Sequence, residues 1–457
     1  MKIQRISSYI FVLLLVGFIG CDVFNPEHIN DPNNPSVSAV MKNANKAQLQ
    51  NLISGLEVRN RNSTVGSADF TGSLGREFYP MYASDPRFMN EWLGLSSDAN
   101  AETDHSFYQN GQVWTVPYSA IKQANLIIEA IKNTDNINKQ QKNGILGVTK
   151  TIKAFQYLIP LLTQSKQNGI RISVSDPLNP GPFLPFDKAL EQIRNLLDDA
   201  QQDLQQAGNS FVFDLTEGLS DFNTPSTFIN LNRAIAARTA IYAKDWPGAL
   251  QALQDAKPFF ELAKGKSVMN KGAYFVYAGP PDTFNPYYYP HNAATSQILM
   301  VHPSMIADAE SGDERVVNKF FKRSSPVSQA GLSSQYQDNR FSSNTSPFPW
   351  FRNEELILIY AEAKAQENQG TDLVDAVNAI NDVRNTWGLP DFNSTNQSDI
   401  IDQVLHERRY SLWGEFGHRW IDAKRYDRLN QLPTDGGKIY QYIARPLSEI
   451  NWNNFNE

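Results

Sequence analysis

The sequence predicts an all-α dominated protein, a frame of helix–turn–helix pairs interrupted by long irregular insertions. Three observations carry this. Apolar residues recur at helical spacing through most of the chain. Two pairs of alanine-rich segments are joined by short turns. Three regions rich in Gly, Pro, Ser and aromatics break the pattern without a period of their own.

Taken in order, Ala47–Arg59 is a first amphipathic piece. Tyr118–Lys132 sets Ile121, Asn125, Ile128 and Ile131 near helical spacing, and Gly147–Gln164 is another helix. Asp187–Gln206 is the clearest: Asp187 can N-cap it, and Ala189, Ile193, Leu196, Ala200 and Leu204 form one apolar stripe. The first pair is Ser226–Lys244 and Gly248–Phe260, broken at Asp245-Trp246-Pro247. The second is Arg352–Gln369 and Asp372–Thr386. Alanines line the faces where such helices approach closely, and the short turns make the partners antiparallel. This is the unit of tetratricopeptide-like repeats, degenerate and split by insertions. A last helix runs from Ser398, as N-cap, to about Trp413. Residues 60–117 and 265–350 read as irregular insertions, and 165–186 as a Pro/Gly-rich connector. Long loops on a rigid frame are where binding usually sits.

Composition narrows the function. The 457 residues are 41% hydrophobic with a formal net charge of −7. An acidic chain lacks the basic face that displaces counterions from nucleic acid. A single cysteine rules out an internal disulfide framework and a Cys-rich zinc site. That cysteine, Cys21, ends the run VLLLVGFIGCDV, after a basic start at Lys2 and Arg5. A spanning helix needs about 20 apolar residues, so the run is too short and reads as an export signal. Gly20-Cys21 followed by polar, Pro-rich sequence resembles a bacterial lipobox. In that reading residues 1–20 are removed and the Cys21 thiol carries lipid. Residues 21–46 are then a lipidated tether, and 47–457 the helical domain with its loop insertions.

The carboxyl-terminal stretch LHERRYSLWGEFGHRWIDAKR holds Glu407, Arg408, Arg409, Glu415, Arg419, Trp420, Asp422 and Arg425. It resembles the E-R-R…R-W-x-D…R signature of the SusD/RagB family, with Ser411 where that family commonly has Glu. CDVFNPEHINDPNNPS, SSDANAETD followed by VWTVPYSAIKQANLIIEAI, RNEELILIYAEA and RPLSEINWN resemble further family segments in the family's order. The resemblance implies a lipid-anchored outer-membrane protein facing the cell surface. It implies a SusC-like TonB-dependent transporter as partner and capture of oligosaccharides for uptake. A peptide-capturing lid on the same kind of transporter and a repeat scaffold that binds no small ligand are the alternatives. An envelope glycosidase ranks behind both.

The signature invites a catalytic reading, but its charges alternate with Tyr410, Trp413, Phe416 and Trp420. That mixture suits an ion-pair and stacking network holding the last helix to the frame. Glu407, Arg408, Arg409, Arg419, Trp420, Asp422 and Arg425 are therefore expected to be structural. The chain has no G-x-S-x-G, H-E-x-x-H or phosphate loop, and its six histidines lack metal-ligand spacing. No catalytic residue, metal or cofactor is predicted. Sugars stack their C–H faces on aromatic rings while Asn, Asp and Arg reach the hydroxyls. The insertions carry such residues, and the expected ligand contacts are Arg76, Tyr79, Tyr82, Asn90, Trp92, Asn100, Tyr287, Tyr288, Tyr289 and Trp350.

Overall fold

A computed structural model of the protein describes residues 41–176, 178–294 and 296–455. Cys21, the export signal and most of the tether lie outside these residues. The helices are α1 (Lys46–Leu74), α2 (Arg87–Asn90), α3 (Thr115–Lys132), α4 (Lys139–Thr163), α5 (Phe186–Gln205), α6 (Pro225–Tyr242) and α7 (Trp246–Asp255). They continue with α8 (Lys266–Asn270), α9 (Ser304–Ala307), α10 (Glu314–Lys319), α11 (Asn353–Glu367), α12 (Asp372–Thr386), α13 (Gln397–Ser411), α14 (His418–Arg425) and α15 (Leu447–Phe455). Among the described residues, no helix is long and apolar enough to cross a membrane.

The fold is dominated by helices packed in sequence: α1 on α3, α3 on α4, α4 on α5, α5 on α6 and α6 on α7. Although nearly a hundred residues separate them, α7 then packs against α11, which carries α12 and α13. The large insertion therefore leaves the helical stack continuous. Small residues permit the close approach. Ala234, Ala237 and Ala240 of α6 and Ala361 and Ala365 of α11 are buried. At Gly147 of α4 an added Cβ would lie 2.4 Å from Leu204 of α5. The two alanine-rich pairs are α6–α7, with Asp245 accepting from Gly248 N at 3.0 Å, and α11–α12. Two caps differ from expectation. Asn396 rather than Ser398 caps α13, accepting from Ser398 N at 2.8 Å, and α5 begins at Phe186 with Asp187 in its first turn.

Both irregular insertions hold more structure than their composition signals. Helix α1 runs on to Leu74, well into the first. Its second half is buried through Ser and Thr rather than through an apolar stripe. Their hydroxyls donate back along the helix: Thr64 to Asn60 O at 2.7 Å, Thr71 to Ser67 O at 2.8 Å and Ser73 to Asp69 O at 2.7 Å. Those three hydroxyls are thereby satisfied within the helix. The second insertion forms strands β4 (Gly272–Phe275), β5 (Gln297–Val301), β6 (Phe320–Gln329), β7 (Leu332–Asp338) and β8 (Phe348–Arg352). With β1 (Phe78–Tyr82) from the first insertion, β5, β7 and β6 make an antiparallel sheet in the order β1-β5-β7-β6. Phe78 pairs with Val301 and Tyr82 with Gln297. Strands β4 and β8 form a separate two-stranded antiparallel sheet; β2 (Ile170–Arg171) and β3 (Phe183–Leu184) pair within the connector.

The carboxyl-terminal signature forms a buried ion-pair lattice. Glu407, inaccessible to solvent, faces Arg315 at 2.6 Å and Arg384 at 2.8 Å. Asp422 accepts from Arg408 at 2.7 Å and Arg425 at 2.6 Å, and Arg425 reaches on to Glu362 of α11. Arg409 pairs with Asp308 at 2.9 Å, Arg419 donates to Arg76 O, and the Trp420 indole donates to Tyr440 O at 2.9 Å. Two guanidinium partners per buried carboxylate offset the desolvation that one would leave uncompensated.

Candidate ligand-binding site

The two insertions meet over the second half of α1. Asp69 projects there, half-buried, and its Oδ2 accepts from the Tyr82 hydroxyl at 3.0 Å. Burial pushes the Asp69 carboxyl up to about 6, against the opposing pull of its bonds to Tyr82 and to Phe70 N. Tyr82 is set by the β1–β5 register. Its hydroxyl also meets that of Tyr289, from the second insertion. Tyr287, two residues earlier, donates to Val65 O of α1 at 2.5 Å and fixes that loop on the helix. Asn285 holds the loop's base, donating to Ser346 O and accepting from Tyr287 N.

From Tyr82 the rings continue edge to face across α2. Tyr82 to Phe88 is 4.8 Å between centroids, and Phe88 to Tyr108 is 4.9 Å. The Arg87 guanidinium lies 4.0 Å over the Tyr108 ring and pairs with Asp85 at 2.7 Å. That pairing holds the Asp85 carboxyl down to about 2. Phe88, Tyr108, Tyr288 and Tyr289 are all half-buried, so each keeps part of its surface in solvent. The result is an aromatic platform flanked by two carboxylates, Asp69 and Asp85, and by the Arg87 guanidinium.

The expected ligand residues divide accordingly. Tyr82 and Tyr289 come together at Asp69, with Tyr288 on the same loop. Asn90 and Asn100, half-buried, shape the first loop: Asn90 O accepts from Ser96 N and Asn100 Oδ1 from Glu102 N. The others point into the protein. Arg76, 1% exposed, donates to the carbonyls of Leu93, Pro433 and Lys438 and pairs with Asp435. Tyr79 packs edge-on against His302, with ring centroids 4.9 Å apart. Trp92, 1% exposed, sits between Phe70 and Phe88, each ring centroid 4.9 Å away, and donates to Tyr108 O at 3.0 Å. Tyr287 is a buried strut. Trp350 is stacked on Phe275 at 5.4 Å, away from the platform. These rings are core because neighbours distant in sequence cover both their faces, which local composition does not reveal. Asp69, Phe88 and Tyr108 are not among the residues expected from sequence. Asp69 is placed by the unrecognised extension of α1, and Phe88 and Tyr108 differ from their aromatic neighbours only in burial.

Comparison with known proteins agrees with this architecture. Residues 312–456 match the SusD family. The SusD-like protein P38 of Formosa agariphila is 36% identical over 88 residues, which is 18% of this chain; the matched stretch spans only 17% of that relative's length. A laminarin-binding SusD-like protein of known structure superposes with a TM-score of 0.67 at 16% identity, over 89% of this chain and 98% of that one. Surface glycan-binding protein A from Bacteroides thetaiotaomicron, in complex with laminarihexaose, superposes with a TM-score of 0.66 at 13% identity, over 89% and 97%. At these identities the superpositions speak for the fold. The carboxyl-terminal third of the chain thus matches SusD-family sequence, and the fold is SusD-like over most of its length.

Proposed function

We propose that the protein is a surface lipoprotein, anchored through Cys21, that captures an oligosaccharide on the aromatic platform and hands it to a SusC-like TonB-dependent transporter. The observation that carries the reading is the convergence of both insertions on Asp69. Half-buried rings at Phe88, Tyr108, Tyr288 and Tyr289 offer faces to sugar C–H groups. Asp69 and Arg87 offer an acceptor and donors to hydroxyls, and the Asn90 and Asn100 amides lie on the same loop. Rings already held by their neighbours lose little freedom on binding, which favours capture without a large rearrangement. Reversible capture requires no covalent step, so no catalytic group is assigned. A laminarin-binding relative and a laminarihexaose complex of the same fold support a glycan as the cargo class.

Calorimetric titration of the purified protein against oligosaccharide and oligopeptide panels tests this. Saturable binding of one glycan class, weakened about tenfold or more by Tyr108→Ala with little loss of stability, is expected. Binding confined to peptides would keep the platform and change its cargo; no binding on either panel would favour a scaffold.

A further inference from the structure

A second cleft lies between the first half of α1, the β4–β8 sheet and the turn at 216–222. It spans about 360 Å³ of empty space, part of which is open solvent. Only about 30 Å³ of it admits the centre of a water, which at roughly 10–15 Å³ per site is room for about two water-sized groups. Among the residues lining it that are more than nine-tenths buried are Glu57 at 6% exposure, Arg61 at 7% and Trp350 at 4%. Each brings a polar atom with no partner among the described residues. Glu57 Oε1 accepts from Thr216 N and Oγ1, at 3.1 and 2.9 Å, while Oε2 is unmet. Arg61 spends its terminal nitrogens on Asp282 and Val276 O and leaves Nε unmet. The Trp350 indole, stacked on Phe275, leaves Nε1 unmet. Three unmet polar atoms around one cleft point to an occupant.

Their chemistry restricts what that occupant is. A cation would meet a guanidinium and an indole N–H; an anion would meet the carboxylate. A neutral hydroxyl donates to Glu57 Oε2 and accepts from Trp350 Nε1 or Arg61 Nε, and the rings of Tyr274 and Phe275 suit the carbons that carry it. We infer that the cleft is a second subsite, taking a hydroxyl-bearing end or branch of a neutral sugar or polyol. Asp69 lies about 12 Å beyond Arg61 and about 18 Å beyond Glu57 along α1, at the helical rise per residue. The cleft and the platform therefore hold different parts of a long chain, or different molecules. The segment 276–289 joins them, with Val276 at the cleft, Asp282 on Arg61 and Tyr289 on Tyr82. As a subsite for captured glycan, the inference rests on the platform reading.

The test is ¹⁵N-indole NMR of the purified protein, with the Trp350 signal assigned by its loss in Trp350→Phe. The probes are D-glucose, D-galactose, D-mannose and glycerol, with sodium acetate and ammonium chloride as ionic controls. The Trp350 signal is expected to move, saturably, with at least one of the neutral probes. Glu57→Gln, which replaces the unmet acceptor by an amide of the same shape, should weaken that response at least tenfold, whereas Tyr108→Ala should leave it unchanged. A Trp350 signal unmoved by every neutral probe, or moved only by the ionic controls, overturns the inference. If Tyr108→Ala meanwhile still abolishes oligosaccharide binding, the platform stands without the cleft. If Trp350 responds while platform substitutions leave oligosaccharide affinity untouched, the cleft stands and the platform reading falls.

Discussion

Asp69 illustrates how a group placed at the proposed site can be costly to the free protein. Its carboxyl titrates near 6 against an ordinary 3.8, so the folded state holds the proton more tightly than the unfolded chain. The stability this contributes is present below about pH 4 and is lost as pH rises through about 6. The full shift corresponds to about 3 kcal/mol, and the half-buried setting reduces it to about 1–2 kcal/mol. Asp69→Asn should therefore stabilise the free protein at pH 8 by about 1 kcal/mol and leave it unchanged at pH 4, in paired denaturant titrations. A glycan that donates hydroxyls to the carboxylate favours its ionised form. Affinity should accordingly rise with pH through about 6 in the native protein, and that rise should vanish in Asp69→Asn. A pH-independent affinity would remove Asp69 from the site. The rings allow a parallel comparison. Trp92→Ala should cost about 3–5 kcal/mol of stability, because a fully buried indole and its bond to Tyr108 O are lost. Tyr108→Ala should cost about 1 kcal/mol or less and remove binding instead. Sequence could not separate these two aromatics, since what distinguishes them is the cover supplied by Phe70 from another element.

At the scale of elements, the frame was legible where helices meet through alanine or carry an apolar stripe: α5, α6–α7 and α11–α12 follow from period and turn chemistry alone. The second half of α1 was not, because Ser and Thr take the buried positions and satisfy themselves on the preceding turn. Nor were the strands of the second insertion, where the long hairpin β6–β7 shows no clean alternation of buried and exposed residues. Helix contacts make a sharper prediction. Gly147→Ala would drive a methyl against Leu204 across the α4–α5 contact. Overpacking of about 1–3 kcal/mol exceeds the gain of about 1 kcal/mol in helix propensity, so the substitution should lower stability by chemical denaturation. At Gly55 of α1 an added Cβ meets only the Gln123 side chain, at 3.5 Å. There the propensity term is unopposed, and Gly55→Ala should raise stability by about 0.5–1 kcal/mol. Equal effects at the two sites would contradict the packing described for α4 and α5.

Across the whole molecule, the proposed function asks one thing of the signature lattice and of an anchor at Cys21: a rigid frame held at a membrane while its loops hold cargo. The lattice ties α10, α12 and α13 at Glu407, and α11, α13 and α14 at Asp422, so the most distant part of the sequence closes the fold. The anchor is read from sequence alone. A diacylated or triacylated cysteine buries enough methylene to hold a folded domain at a bilayer stably, whereas one chain would be marginal. The two contributions separate by substitution. Glu407→Gln removes a charge shared by Arg315 and Arg384 and should cost about 3–5 kcal/mol, leaving the protein membrane-bound but thermally weakened. Cys21→Ala should leave the unfolding transition of the domain unchanged and move the protein from the membrane fraction to a soluble one. Lipid labelling of whole cells, followed by protease shaving, would read attachment and surface exposure in one experiment. Metabolic fatty-acid label in the native chain but not in Cys21→Ala, with the native chain cleaved on intact cells, is the expected result. Label retained without Cys21 would place the anchor elsewhere. Label lost but the protein still firmly membrane-bound would mean that a partner in the membrane, rather than lipid, holds it there.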